Sequence, residues 1–210
     1  MDDLEQARAY AEADFEDSNS LFVRLFQENF PDENPQLFLD LGCGPADITI
    51  RLARIYPDAV FHAVDGSEAM LFFAKKRILN ASLGERIKLI KAFIPVEPLP
   101  EKSYDAVTSN SLLHHLKSPD ALWKTIAEHC RPEAPVLVMD LLRPESPEQA
   151  REIVNRYSAS EPEILRRDFF NSLCAAYTIE EVEKQLELFG LKGLTVKQVS
   201  DRHLAVWGRL

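Results

Sequence analysis

Five short apolar runs punctuate the first two thirds of the chain, and helix-like stretches separate most of them. They are LFLDL (37–41), AVFHAVD (59–65), IKLIKAF (87–93), YDAVTSN (104–110) and PVLVMDLL (135–142). Alternation of strand and helix predicts a parallel sheet with helices on both faces. Several of the runs are apolar almost throughout, as strands buried on both sides must be. A closing stretch, LTVKQVSDRHLAVWGRL, reads as two further strands joined at Ser200-Asp201, a hairpin. The expected fold is therefore α/β: a Rossmann-like, seven-stranded, mostly parallel sheet with an antiparallel last strand.

Helices complete the plan. Residues 4–30 read as one or two amphipathic helices, with a break expected near Asp17-Ser18-Asn19, which supply N-cap residue types. Ser67 is the expected cap of the helix after Asp65. Three capping sequences, Ser146-Pro147-Glu148-Gln149, Ser160-Glu161-Pro162-Glu163 and Thr178-Ile179-Glu180-Glu181, divide residues 146–189 into three helices, and Gly190 marks the last stop. One domain spanning 1–210 is expected. Its parts are an N-terminal helical lid (1–34), a cofactor-binding core (35–142), a helical substrate-side insertion (143–177) and a final helix with hairpin (178–210).

Composition narrows the function. A chain of 210 residues with 46% hydrophobic and 28% charged residues is ordinary globular protein. Its net charge of −10 argues against a nucleic-acid backbone as partner, so no DNA is expected. Cys43, Cys130 and Cys174 are scattered and odd in number, unlike a disulfide framework or a zinc site. No ligand-spaced His/Asp/Glu cluster suggests a metal. The acidic start MDDLEQARAY is unlike a signal peptide, and no apolar run approaches the ~20 residues that span a bilayer. A cytoplasmic location is expected.

Only 7 glycines occur in the chain, and two of them, Gly42 and Gly44, share one turn after the first strand. Glycine is needed where the backbone takes a positive φ or where a ligand approaches too closely for a Cβ. Asp65 closes the second strand 25 residues beyond Asp40, followed by Gly66. Parallel sheets bind ligands at the carboxyl ends of their strands. A carboxylate there can accept hydrogen bonds from both hydroxyls of a ribose, which points to a nucleoside ligand. The alternative for Asp65 is a helix-capping carboxylate. A dinucleotide fits less well: the third glycine of G-x-G-x-x-G is missing, and Asp47 would repel a pyrophosphate at the helix N-terminus.

These residues resemble the class I S-adenosylmethionine-dependent methyltransferases. The family's D/E-x-G-x-G-x-G motif reads DLGCGPA here, with Ala46 in the last glycine position. Its second acidic residue matches Asp65 in HAVDGSEAML. Its later D-x-V-x-x-x-x-x-L-H-H-L stretch matches YDAVTSNSLLHHL, residues 104–116. The resemblance covers roughly residues 35–142 and 178–210. It implies S-adenosylmethionine as cofactor, leaving as S-adenosylhomocysteine. The implied cofactor contacts are Asp40, Gly42, Cys43, Gly44, Asp65, Gly66, Met70 (on the adenine), Ala92, Phe93 and Asn110. One departure is plain: KAFIPVEPLP lacks the acidic residue that the family often places after the third strand.

Methyl transfer is an in-line displacement, and an O or N nucleophile needs a base for its proton. His115 is the preferred candidate and His114 the second; either can instead brace the loop. Substrate selection is expected from the N-terminal helices and the insertion, with Tyr10, Arg143 and Tyr157 as contacts. Alternatively these aromatics are helix core. The sequence leaves in play a small-molecule methyltransferase, a protein or RNA methyltransferase, and a non-catalytic cofactor-binding regulator. Substrate and oligomeric state are not legible in it.

Overall fold

The computed structural model describes residues 4–210. Its sheet has seven strands in the order β3-β2-β1-β4-β5-β7-β6. These are β1 (Leu37–Leu41), β2 (Val60–Asp65), β3 (Ile87–Lys91), β4 (Ala106–Asn110), β5 (Pro135–Leu141), β6 (Leu194–Gln198) and β7 (His203–Arg209). Strands β1 to β5 pair in parallel, and β7 runs antiparallel to both of its neighbours. The order reverses at β1, between β2 and β4. The crevice beyond the carboxyl ends of these strands is where such sheets hold ligands.

Eight helices are described: α1 (Leu4–Glu12), α2 (Glu16–Asn29), α3 (Asp47–Ile55), α4 (Glu68–Asn80), α5 (Asp120–His129), α6 (Pro147–Tyr157), α7 (Glu163–Ala175) and α8 (Ile179–Leu188). A 3₁₀ turn, η1 (Leu113–His115), follows β4. Side-chain alternation along β1 sets the two layers. Phe38 faces the cluster with Phe22, Phe26 and Phe61, whereas Leu39 and Leu41 face Trp123, Val136 and Val182. Burial of such side chains is each worth about 2 kcal/mol. The Trp123 indole N–H donates to Gln185 Oε1 at 2.8 Å, so the α5–α8 contact buries its polar groups as a satisfied pair.

Three local expectations need correction. The break between the first two helices falls at 13–15, not at Asp17-Ser18-Asn19. Asp14 Oδ1 accepts the Glu16 N–H at 2.8 Å, so the earlier carboxylate stops the chain first and Asp17 enters the first turn. Ser160 caps nothing, because α7 starts at Glu163 after Pro162. Proline directly after the cap, as in Ser146-Pro147, suits a first turn. One position later it pushes the preceding residue, Glu161, out of the helical region. Finally, β3 stops at Lys91, short of Ala92 and Phe93, although Ala92 N–H still donates to Asp65 O at 3.2 Å.

The other expected caps form. Ser67 accepts the Met70 N–H, Ser146 accepts the Gln149 N–H, and Thr178 with Glu181 makes a complete capping box. Thr178→Ala should therefore cost about 1 kcal/mol in urea unfolding, and Ser160→Ala at most a few tenths. Equal effects of the two substitutions would contradict the assignment of the caps.

Candidate active site

The turn after β1 is held by β2. Gly42 N–H and Cys43 N–H both donate to Val64 O, at 2.8 and 3.0 Å. Gly44 N–H donates to Asp65 Oδ2 at 2.9 Å, while Asp65 Oδ1 accepts the Ser67 N–H at 2.8 Å. Asp65 thus joins the glycine turn to the start of α4. Gly42 (φ +72°) and Gly44 (φ +51°) both lie in the left-handed region, and so does Ala46 at φ +64°. The latter stands where the family motif has its third glycine. A Cβ on Gly42 would come within 2.8 Å of Leu112, whereas one on Gly44 would meet nothing within 4 Å. The space over Gly44 is open for a ligand.

Asp40 lies on the α3 side of β1 and is 2% exposed. Thr49 Oγ1 donates to its Oδ2 at 2.5 Å and Thr108 Oγ1 to its Oδ1 at 3.1 Å. Burial nevertheless pushes its pKa up to about 6, the two hydroxyls offsetting only part of the cost and nearby Asp65 adding to it. Cys43 is buried beside it, its thiol held well above the usual range by desolvation first. Asn110 Oδ1, at the end of β4, is buried and has no hydrogen-bond partner among the described residues.

Asp40, Gly42, Gly44 and Asn110 line a cavity of about 190 Å³, closed on the far side by Tyr10 and Phe15. Tyr10 packs on Phe15 with ring centroids 4.8 Å apart. Its hydroxyl is pushed up to about 12, first by burial and then by the charges of Asp140, Asp65 and Asp47, so it stays a hydrogen-bond donor among carboxylates. Met70 is buried with Ala7 and Ala69, and Tyr10 packs on that cluster, so α1 covers it. The Phe93 ring lies against Gly66, where a Cβ would come within 2.7 Å of it. Ala92 is buried at the foot of the same loop.

The two histidines separate in role. His114 Nδ1 pairs with Asp140 Oδ1 at 2.5 Å, and both side chains are almost wholly buried. Asp140 Oδ2 accepts the Leu113 N–H and Oδ1 the Leu141 N–H, each at 2.7 Å, so one carboxylate at the end of β5 shapes η1. His115 stacks on His114 with centroids 3.9 Å apart. Its pKa is pulled down to about 4, by desolvation first and by His114 second, although part of the residue reaches solvent.

Not every expected contact joins the cavity. Arg143 donates to Glu181 Oε1 at 2.5 Å, beside Tyr177. Tyr157 lies at the β6–β7 hairpin, where its hydroxyl donates to Asp201 Oδ2 at 2.7 Å and the Arg202 guanidinium sits 3.4 Å over its ring. That explains the SDRH stretch as an anchored turn. Sequence reading missed Asp140, Thr49, Thr108 and the α1–α7 contact of Gln6 with Asp168 Oδ2 at 2.5 Å. A signal existed for Asp140: it is a lone carboxylate in an apolar run, as Asp40 and Asp65 are.

The profile of the methyltransferase domain family matches residues 38–133. The chain is 37% identical over 93 residues to the tRNA1(Val) (adenine(37)-N6)-methyltransferase of Pedobacter heparinus, covering 43% of this chain and 39% of that protein. It is 30% identical over 110 residues to the demethylmenaquinone methyltransferase of Lactobacillus johnsonii, covering 52% and 45%. The chain thus spans less than half the length of these curated relatives. Among solved structures, a SAM-dependent methyltransferase from Aquifex aeolicus superposes with a TM-score of 0.70 at 18% identity, covering 98% and 97% of the two chains. The plantazolicin methyltransferase BamL, solved with S-adenosylhomocysteine, gives 0.75 at 16% identity, covering 97% and 88%. At such identities the likeness is one of fold. The matched segment is similar to a methyltransferase domain, and the fold is the one that S-adenosylmethionine-dependent methyltransferases share.

Gly42→Ala combines a left-handed backbone with the Leu112 contact and should cost about 2–4 kcal/mol. Gly44→Ala meets only the backbone term, about 1–2 kcal/mol. Urea unfolding of the two variants checks the order; a reversed order would contradict the geometry.

Proposed function

We propose that the chain is an S-adenosylmethionine-dependent methyltransferase acting on a small molecule. The carrying observation is a pair of buried acceptors over a glycine floor: Asp40, with its pKa raised, and Asn110 Oδ1, with no partner among the described residues. Both are relieved by a cationic donor, and the α-ammonium of the cofactor's methionine arm is one. The cavity holds about 190 Å³, less than the ~300 Å³ or more usual for ligand pockets. It therefore suits that arm alone.

The remaining contacts are assigned by reach. Asp65 is a carboxylate at the end of β2 beside the glycine turn, an acceptor type that suits the ribose hydroxyls. Gly66, Met70, Ala92 and Phe93 line the adenine side, and Cys43 contributes backbone rather than its buried thiol. Helix α1 lies over Met70, so it acts as a lid that shifts to admit the whole cofactor. When bound, S-adenosylmethionine supplies an electrophilic methyl group on a sulfonium sulfur.

A small acceptor is favoured by the cover over the crevice. Gln6 of α1 and Asp168 of α7 meet above it, a closed geometry that a macromolecular acceptor would have to open. The net charge of −10 opposes RNA. Tyr10 belongs to this cover as a substrate-side donor. Arg143 and Tyr157 act from the second rank, Arg143 through α8 and Tyr157 by fixing the hairpin. Among the described residues no helix is long and apolar enough to cross a membrane.

Titration calorimetry with S-adenosylmethionine and with NAD tests the reading. The first should bind at micromolar level and lose about tenfold or more in Asp65→Ala, since hydrogen bonds to a charged group are worth about 1.5–3 kcal/mol. Tight NAD binding, or no binding of the first, would overturn it. A second outcome concerns pH. With its folded pKa about 6, above the ordinary 3.8, Asp40 favours the free fold when protonated. Its contribution to stability therefore falls as pH rises from 4 to 6. A cationic ligand favours the ionised form, so cofactor affinity should rise about tenfold between pH 5 and 7 and lose that slope in Asp40→Asn. An unchanged slope would contradict the contact.

A further inference from the structure

Within the proposed transferase reading, one buried pair has no part in holding the cofactor. Asp140 ends β5 as Asp40 ends β1, but its partner is an imidazole rather than hydroxyl groups. The carboxylate accepts N–H groups from both sides, Leu113 on η1 and Leu141 on its own strand, and the His114 ring at 2.5 Å. With three donors it has no need of further solvation in a pocket where it is 2% exposed. A carboxylate can only accept at its contact with Nδ1, so Nδ1 carries the hydrogen, and in the neutral imidazole Nε2 is then the nitrogen with the lone pair. Among the described residues Nε2 makes no hydrogen bond.

The pair stands at the carboxyl ends of β4 and β5, on the far side of Asn110 from the cavity that Asn110 lines. It closes the turn that follows Asn110, and η1 packs against α7, the helix that Gln6 of α1 also reaches. Tyr10, which lines the cavity, feels the charges of Asp140 and Asp65 together. His115, the neighbour on the same turn, has no carboxylate partner among its hydrogen bonds and remains a weak base down to about pH 4. A general base works best with a pKa near the operating pH, which disfavours it.

We infer that His114 Nε2 is the proton acceptor of methyl transfer, that Asp140 is its positioning residue, and that the methyl acceptor is an alcohol, phenol or amine rather than a carboxylate. The balance is simple. The acceptor's oxygen or nitrogen forms the bond to the methyl carbon, and the electron pair of the breaking C–S bond stays on sulfur. The O–H or N–H proton passes to Nε2, and the imidazolium is held by Asp140 until water removes the proton. A carboxylate acceptor has no proton to give, and this pair would be superfluous to it.

Two measurements on the full chain test this. In ¹⁵N-histidine NMR at neutral pH, His114 should show the Nδ1–H tautomer, and Asp140→Glu should keep it while Asp140→Asn loses it. An Nε2–H tautomer would overturn the assignment. With labelled S-adenosylmethionine and a small-molecule extract, His114→Gln should lower transfer about 100-fold or more while cofactor affinity stays within about twofold. Base-labile methyl esters as the product, or undiminished transfer by the variant, would overturn this inference alone. Loss of cofactor binding in the wild-type chain would instead strike the proposed function.

Discussion

The structure depends on the tie between Asp65 and the turn that follows β1. Left-handed backbone strains Ala46, and Gly42 and Gly44 take it without strain but lose the most conformational freedom, so in isolation this loop would fluctuate. Val64 O takes two of its N–H groups, and the Asp65 carboxylate takes a third while also gripping the first turn of α4. A charge-assisted hydrogen bond is about twice as strong as a neutral one, so a single side chain fixes the loop, the strand end and the helix entry together. The strained loop is thereby preorganised for a ligand.

Three aspartates at strand ends then divide the chemistry by their surroundings. Asp40 is met by two threonine hydroxyls and carries a desolvation cost that a cation would relieve. Asp65 is half-buried and bound to backbone N–H groups. Asp140 is sealed against an imidazole. The same residue type thus meets two hydroxyls, two backbone N–H groups or an imidazole, since hydrogen bonds and burial set what each carboxylate can do. The phenol of Tyr10 stays a donor among them. An acidic crevice of this kind suits a ligand that arrives bearing positive charge.

Much of the fold is legible because double-sided burial writes itself into continuous apolar runs: LFLDL became β1 residue for residue, and the terminal hairpin formed as read. The misread details have local physical causes. Asp14 and Asp17 are equally good stop signals on paper; in the fold Asp14 takes the Glu16 N–H, and Asp17 falls inside the first turn of α2. Pro162 differs from Pro147 by one position relative to its serine, which is enough to remove a cap. Asp40, Asp65 and the glycine turn were visible because carboxylates at the ends of apolar runs and paired glycines are unusual in themselves. Asp140 was not singled out, since its meaning lies in a contact with His114 across β4 and β5. Tyr157 could not be placed from sequence for the same reason: its partners, Asp201 and Arg202, come from the far end of the chain.

Hydrogen–deuterium exchange with and without S-adenosylmethionine tests most directly whether the β1 turn and the end of β2 form one cofactor seat. Added cofactor should slow exchange at 42–47, 65–70 and in α1 together, leaving β6 and β7 unchanged. Protection confined to other segments, or none in the β1 turn, would contradict the account.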